Sequence, residues 1–270
     1  MNFKDKVIII TGGGSGIGRE LTLALLKKGA KVAAVDINEA GLKETKKIAG
    51  KKSDHVSIHV VNITDKQTVE NLPEKIISIH GEIDGLINNA GIIQPFVKVN
   101  DLDYKDIEKV MAVNFNGLLY MTKAFLPYLL KRPEAYIANV SSMGGFLPVP
   151  GQSIYGASKA AVKLLTEGLY AELKETNVQV SVIFPGATNT NIAKNSGVSA
   201  FSGETSNKQQ QKMKPLAANE AAEIIISGLE KNKFQIFVGK DSKFMNFLYR
   251  LSPKFATDYI TKKMQSLLSK

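Results

Sequence analysis

Short apolar runs recur along the chain, separated by longer stretches in which apolar and polar positions follow a helical period. The runs cover residues 7–10, 32–35, 56–61, 86–87, 136–140, 180–184 and 234–238. Most are continuous rather than alternating, as expected of parallel strands that are covered on both faces. Amphipathic segments fall between them at residues 16–28, 39–49, 65–80, 104–130, 155–174 and 219–231.

Strand and helix in strict alternation predict an α/β fold. The expected form is a single Rossmann-type doubly wound domain with a seven-stranded parallel sheet and helices on both faces. Ligands of such sheets bind beyond the carboxyl ends of the strands, so candidate chemistry is sought just after each apolar run. Two segments break the rhythm. Residues 188–215 are polar, rich in Ser, Asn, Gln and Lys, and follow the sixth run, where a substrate lid is expected. Residues 241–270 form a tail, expected as a basic, amphipathic helical extension of the catalytic unit at residues 1–240.

A chain of 270 residues accommodates one large domain. It contains no cysteine, which excludes disulfides and thiolate metal sites, and its three histidines have no third ligand beside them, so no metal is expected. The N-terminal apolar run passes directly into a glycine turn, which reads as a first strand rather than a signal peptide, and a cytoplasmic location is expected. The net charge is +10, and the last forty residues hold nine basic against two acidic residues, so most of the excess lies in the tail. Nucleic acid is not expected as a partner, because no stacking platform or recognition motif accompanies the charge.

The turn Thr11-Gly12-Gly13-Gly14-Ser15-Gly16-Ile17-Gly18 links the first strand to the first helix. Glycines there let backbone N–H groups approach a pyrophosphate at a helix N-terminus. Asp36 ends the second strand. Its carboxylate can accept bonds from both ribose hydroxyls and repels a 2′-phosphate, which selects NAD over NADP; Ile37 beside it suits an adenine wall. Asn62-Ile63-Thr64 after the third strand and Asn88-Asn89-Ala90-Gly91 after the fourth add amides and small residues to the same edge.

The fifth strand leads to Ser142, and Tyr155 and Lys159 follow four residues apart, on one face of a helix. An unperturbed phenol titrates near about 10. A neighbouring ammonium and the positive ring of NAD⁺ favour phenolate, so a lowered value is expected. Tyr155 can then exchange the proton of an alcohol as hydride leaves the same carbon, with Ser142 holding the oxygen.

These motifs, together with Pro185-Gly186 after the sixth strand, resemble the short-chain dehydrogenase/reductase family from Lys6 to about Val238. The resemblance implies catalytic roles for Ser142, Tyr155 and Lys159, and for Asn114 as the residue positioning a relay water. It implies cofactor contacts from Gly12, Ser15, Gly16, Ile17, Gly18, Asp36, Ile37, Asn62, Ile63, Asn89, Ala90 and Gly91. Tyr155, Lys159, Pro185, Gly186, Thr188 and Thr190 are further implied contacts, whereas Asn88 and Ser141 are expected to be structural. The expected activity is hydride transfer between NAD(H) and a secondary alcohol or ketone. A 3-oxoacyl thioester reductase and a non-catalytic NAD-binding regulator are the alternatives. Family members form dimers or tetramers through the helices of residues 104–130 and 155–174; the tail obstructs the second tetramer interface, so a homodimer is expected.

In the tail, Phe244, Phe247, Leu248 and Leu251 share one helical face, and a second helix is expected after Pro253. Burial of this face over the substrate mouth or a sister subunit is preferred to attachment to an anionic membrane. Phe201, Met213, Phe244 and Phe247 suggest a bulky apolar substrate.

Overall fold

The computed structural model describes residues 2–198 and 215–264. In chain order its elements are β1 (Val7–Thr11), α1 (Gly16–Lys27), β2 (Lys31–Asp36), α2 (Glu39–Ile48), β3 (Val56–Val60), α3 (Lys66–Glu70), α4 (Leu72–His80) and β4 (Gly85–Asn88). They continue with α5 (Tyr104–Met111), α6 (Leu118–Leu129), β5 (Ala135–Val140), α7 (Ser153–Glu172), β6 (Val178–Pro185), β7 (Thr188–Asn189) and α8 (Ile192–Asn195). The chain ends in β8 (Leu216–Ala217), α9 (Ala218–Glu230), β9 (Gln235–Val238), α10 (Lys240–Leu251) and α11 (Pro253–Met264).

Seven strands form one parallel sheet in the order β3-β2-β1-β4-β5-β6-β9, and β7 pairs separately with β8. The strand order reverses direction at β1, and a crevice opens there between the carboxyl ends of β1 and β4. The continuous apolar runs are explained by burial on both sides. On β1, Ile8 and Ile10 join a core with α1 and α9, while Val7 and Ile9 join another with α4 and α6. Successive side chains of a strand point to opposite faces, so a strand covered twice has no polar phase.

Two of the predicted helices are divided. The stretch 65–80 breaks at Asn71, and Pro73 opens the new helix, where its missing N–H costs nothing. The stretch 104–130 contains a π-helical segment, Ala112–Gly117, between α5 and α6. The wide turn lets the Asn114 side chain bond the backbone of Ile92 and brings Gly117 against Ile63, so closely that a Cβ at 117 would lie 2.7 Å from Ile63 Cγ1.

The tail does not lay its predicted apolar face over the substrate mouth. The α10 helix turns Ser242 and Met245 inward and leaves Phe244, Phe247 and Leu251 exposed. Polar anchors set this rotation: Ser242 Oγ donates to the Phe184 carbonyl at 2.8 Å, and the Asp241 carboxylate accepts from Ala187 N at 2.8 Å. Met245, Ala256 and Ile260 then pack with Leu147, Met143 and Phe146 in the loop after β5. Among the described residues no helix is long and apolar enough to cross a membrane.

Candidate active site

The glycine turn between β1 and α1 is shaped by Gly12 and Gly16, whose φ values of +71° and +52° are costly for any residue with a Cβ. A Cβ at Gly18 would collide with the Gly12 carbonyl, so Gly18 serves the close packing of helix on turn. Thr11 ties this turn to the next loop: its hydroxyl accepts from Asn89 N at 2.9 Å and Ala90 N at 3.0 Å, while Asn89 Nδ2 donates to the Thr11 carbonyl at 2.9 Å. Asp36, half-buried, accepts from Gly14 N and Asn38 N, each at 2.9 Å. The Arg19 guanidinium is bonded to the Gly14 and Gly41 carbonyls and to Thr45, which braces the turn and occupies the nearest arginine.

A cavity of about 540 Å³ runs along the carboxyl edge. Of the predicted positions, Gly12, Ser15, Gly16, Ile17, Asp36, Ile37, Asn62, Ile63, Asn89, Ala90 and Gly91 line it, as do Ser142, Tyr155, Lys159, Pro185, Gly186, Thr188 and Thr190. Gly18 and Asn114 do not line it. Ser141, expected to be structural, bonds the Lys159 carbonyl through its hydroxyl at 2.7 Å and also reaches the wall. Asn88 is buried, donating to Thr122 and Asn139.

The α7 helix presents Tyr155 and Lys159 to this cavity, and its N-terminus is held by a residue without any local sequence signal. Gln94, 1% exposed, accepts through Oε1 from Ile154 N at 2.8 Å and Tyr155 N at 3.0 Å, and donates through Nε2 to the Gly151 carbonyl at 3.1 Å. Gln152 returns a bond from its Nε2 to the Gln94 carbonyl. The free N–H groups of a helix start are thereby satisfied across a gap of sixty residues. Lys159, 2% exposed, donates to the Val140 carbonyl at 3.0 Å. Gly91 makes room for it, since a Cβ there would lie 3.0 Å from Lys159 Nζ and 3.2 Å from Asn114 Oδ1. Asn114 is committed to the protein: Oδ1 accepts from Ile92 N, and Nδ2 donates to the Ile92 carbonyl and Ser158 Oγ.

Burial pushes the Tyr155 phenol up, and a hydrogen bond with Ser142 draws it partly back. This is opposite to the direction expected from the Tyr155/Lys159 pairing; desolvation of the phenolate is the largest cause in the protein alone. Burial also brings the Lys159 ammonium down to about 8. Ser142 Oγ accepts from Gly144 N at 3.0 Å, which leaves its own hydrogen free to donate.

The described beginning of the predicted lid does lie over the crevice. Asn195 Nδ2 donates to Ser15 Oγ at 2.9 Å, and Ser196 Oγ accepts from Ile93 N at 3.0 Å. The remainder of that segment, with Phe201 and Met213, falls outside the described residues. Phe244 and Phe247 face solvent and do not line the cavity, which removes them as substrate contacts.

A profile of the short chain dehydrogenase family matches residues 6–199. The SadH protein of Mycobacterium tuberculosis is 33% identical over 254 residues, covering 93% of this chain and 92% of its own. A short-chain dehydrogenase/reductase from Burkholderia phymatum in complex with NAD superimposes with a TM-score of 0.84 at 25% identity, covering 94% of this chain and 96% of that one. A short-chain dehydrogenase from Burkholderia cenocepacia in complex with NADP gives 0.79 at 25% identity, with 96% and 99% covered. The present chain belongs to the short-chain dehydrogenase/reductase family of NAD(P)-dependent oxidoreductases.

Proposed function

We propose that the protein is an NAD(H)-dependent dehydrogenase that interconverts a secondary alcohol and its ketone, with Tyr155 as general acid and base. The carrying observation is that Tyr155, Ser142 and Lys159 open onto the same cavity as the glycine turn and Asp36. Asp36 ends β2 and Ser142 follows β5, with β1 and β4 between them, a separation of three strand spacings or about 14 Å, suited to an extended dinucleotide. The Gly12–Ile17 turn fits the pyrophosphate, Asp36 and Ile37 the adenosine, Asn62, Ile63, Asn89 and Ala90 the central crevice, and Pro185, Gly186, Thr188 and Thr190 the nicotinamide end. When bound, a nicotinamide dinucleotide would supply the hydride acceptor for the alcohol carbon, or the hydride donor for the ketone.

Tyr155 accepts the alcohol proton in oxidation and gives it back in reduction. Ser142, held by Gly144 N, donates its hydroxyl hydrogen to the substrate oxygen. Lys159 supplies a buried positive charge anchored on Val140, and Asn114 keeps the adjoining Ile92 backbone in place while standing near the lysine for a relay water. The preference for NAD rests on Asp36, an anion with no cation bonded to it among the described residues, and on the engagement of Arg19 elsewhere. We also propose a homodimer through α5, α6 and α7, where Tyr104 and Leu164 are exposed; a tetramer in light scattering would overturn that part.

The test is turnover of a panel of secondary alcohols and ketones, followed by nicotinamide absorbance. Tyr155→Phe is expected to lower kcat by about 10²–10⁴-fold with dinucleotide affinity unchanged. Full activity in that variant removes the phenol from the reaction, and tighter binding of NADPH than NADH reverses the reading of Asp36.

A further inference from the structure

The fold uses one side of the tail and leaves a second apolar side open. Phe244, Phe247 and Leu251 of α10 are 54%, 62% and 68% exposed, and Phe255 at the start of α11 is 57% exposed. With about 100° between successive helical residues, the three on α10 fall within roughly 60° of arc. Three large apolar side chains on one stripe, with a fourth exposed on the next helix, differ from the scattered single exposures that any soluble surface carries.

Charge completes the pattern. Lys243 and Arg250 flank the α10 stripe, and Lys254, Lys262 and Lys263 are exposed on α11. Of the two acids of the tail, Asp258 is paired with Lys254 and Asp241 is turned inward to Ala187 N, which leaves Lys243 and Arg250 without an acidic side chain bonded to them among the described residues.

We propose that this face docks on an anionic lipid surface. Phe244, Phe247, Leu251 and Phe255 enter the boundary between headgroups and acyl chains, and the flanking Lys and Arg side chains meet lipid phosphates. Complementarity selects this occupant over a second copy of the chain. A second copy presents the same net-basic face and so offers the flanking Lys and Arg side chains less than a layer of lipid phosphates does. The sequence segments outside the described residues are basic as well. Residues 199–214 hold three lysines against one glutamate, with Phe201 and Met213 as their large apolar groups, and residues 265–270 hold Leu267, Leu268 and Lys270 with no acid. Because the buried side of the tail packs on the loop after Ser142, docking holds that loop beside the bilayer. Only this last consequence rests on the proposed active site; the docking itself does not.

The experiment is co-sedimentation of the full-length chain with vesicles of phosphatidylcholine, with and without phosphatidylglycerol. Tight binding is expected only with phosphatidylglycerol, weakening as salt is added. The double variant Phe244→Ser/Phe247→Ser is expected to bind at least about tenfold more weakly, and Lys243→Glu/Arg250→Glu likewise, each with unchanged circular dichroism and dinucleotide affinity. The proposal is overturned if the wild-type chain stays in the supernatant with both vesicle types, or if the serine variant binds as well as the parent. It is also overturned if, in light scattering without lipid, the serine variant forms a smaller oligomer than the parent, which assigns the face to a second copy.

Discussion

The two ends of the central sheet each carry an aspartate, and the two are used in opposite ways. At the amino end Asp84, fully buried, accepts from Val7 N at 2.9 Å, Arg132 Nε at 3.0 Å and Lys6 Nζ at 3.3 Å. At the carboxyl end Asp36 bonds two backbone N–H groups among the described residues and keeps one side open to the cavity. The first charge is consumed by the fold, while the second is left for a ligand. A carboxylate is therefore informative about function only when its position relative to the strand direction is known.

Substitutions can break this contrast, beginning with the largest effect. Asp84→Ala is expected to cost about 3 kcal/mol in a denaturant melt, because Val7 N loses its acceptor and Lys6 and Arg132 each lose an ion pair, Arg132 keeping the one to Glu82. The folded fraction should bind dinucleotide as before; a loss of affinity larger than the loss of folded protein would place Asp84 in the site.

Lys159→Met is expected to go the other way, raising stability at neutral pH by about 1–3 kcal/mol while removing turnover, since it relieves a buried ammonium. The sign of the pH dependence follows from its lowered value of about 8. Between about 8 and the unfolded value near 10.5 the unfolded chain holds the extra proton, so wild-type stability climbs with pH across that window and is lost again as pH falls through about 8. Melts of Lys159→Met should lack that climb; the same slope in both proteins would assign it to other groups. The smallest effect is that of Asp36→Ala, with about 1 kcal/mol of stability lost and the preference for NADH over NADPH reduced by about tenfold. Competition binding of the two dinucleotides reads this directly, and an unchanged ratio would end the role of Asp36 in selection.

What the sequence revealed, and what it hid, follows from the range over which each signal acts. Strands were legible because both faces of β1, β2 and β5 are buried, which writes a continuous apolar run into the chain. The glycine turn and Ser142 each sit just past a strand and Asp36 ends one, whereas Tyr155 and Lys159 are marked by their four-residue spacing on α7. Hydropathy gave α10 its helix but not its rotation. Two apolar stripes compete there, and the winner is chosen by the bonds of Ser242 to Phe184 and Asp241 to Ala187, which leave no periodic trace. Gln94 escaped notice because the helix end it satisfies lies sixty residues away. The rise of the Tyr155 phenol escaped because burial is a property of the assembled cavity, whereas spacing reveals only the neighbour.

The π-helical segment Ala112–Gly117 puts one surplus residue into a long helix. Removing a single residue there would restore regular α-helical winding with Met121, Phe125 and Leu129 still turned to their core, because the wide turn already absorbs the extra residue. What would go is the wide turn itself, from which Asn114 reaches the Ile92 backbone. The surplus residue thus serves the site rather than the core: a shortened helix is expected to fold, with the loop after β4 released from its tether.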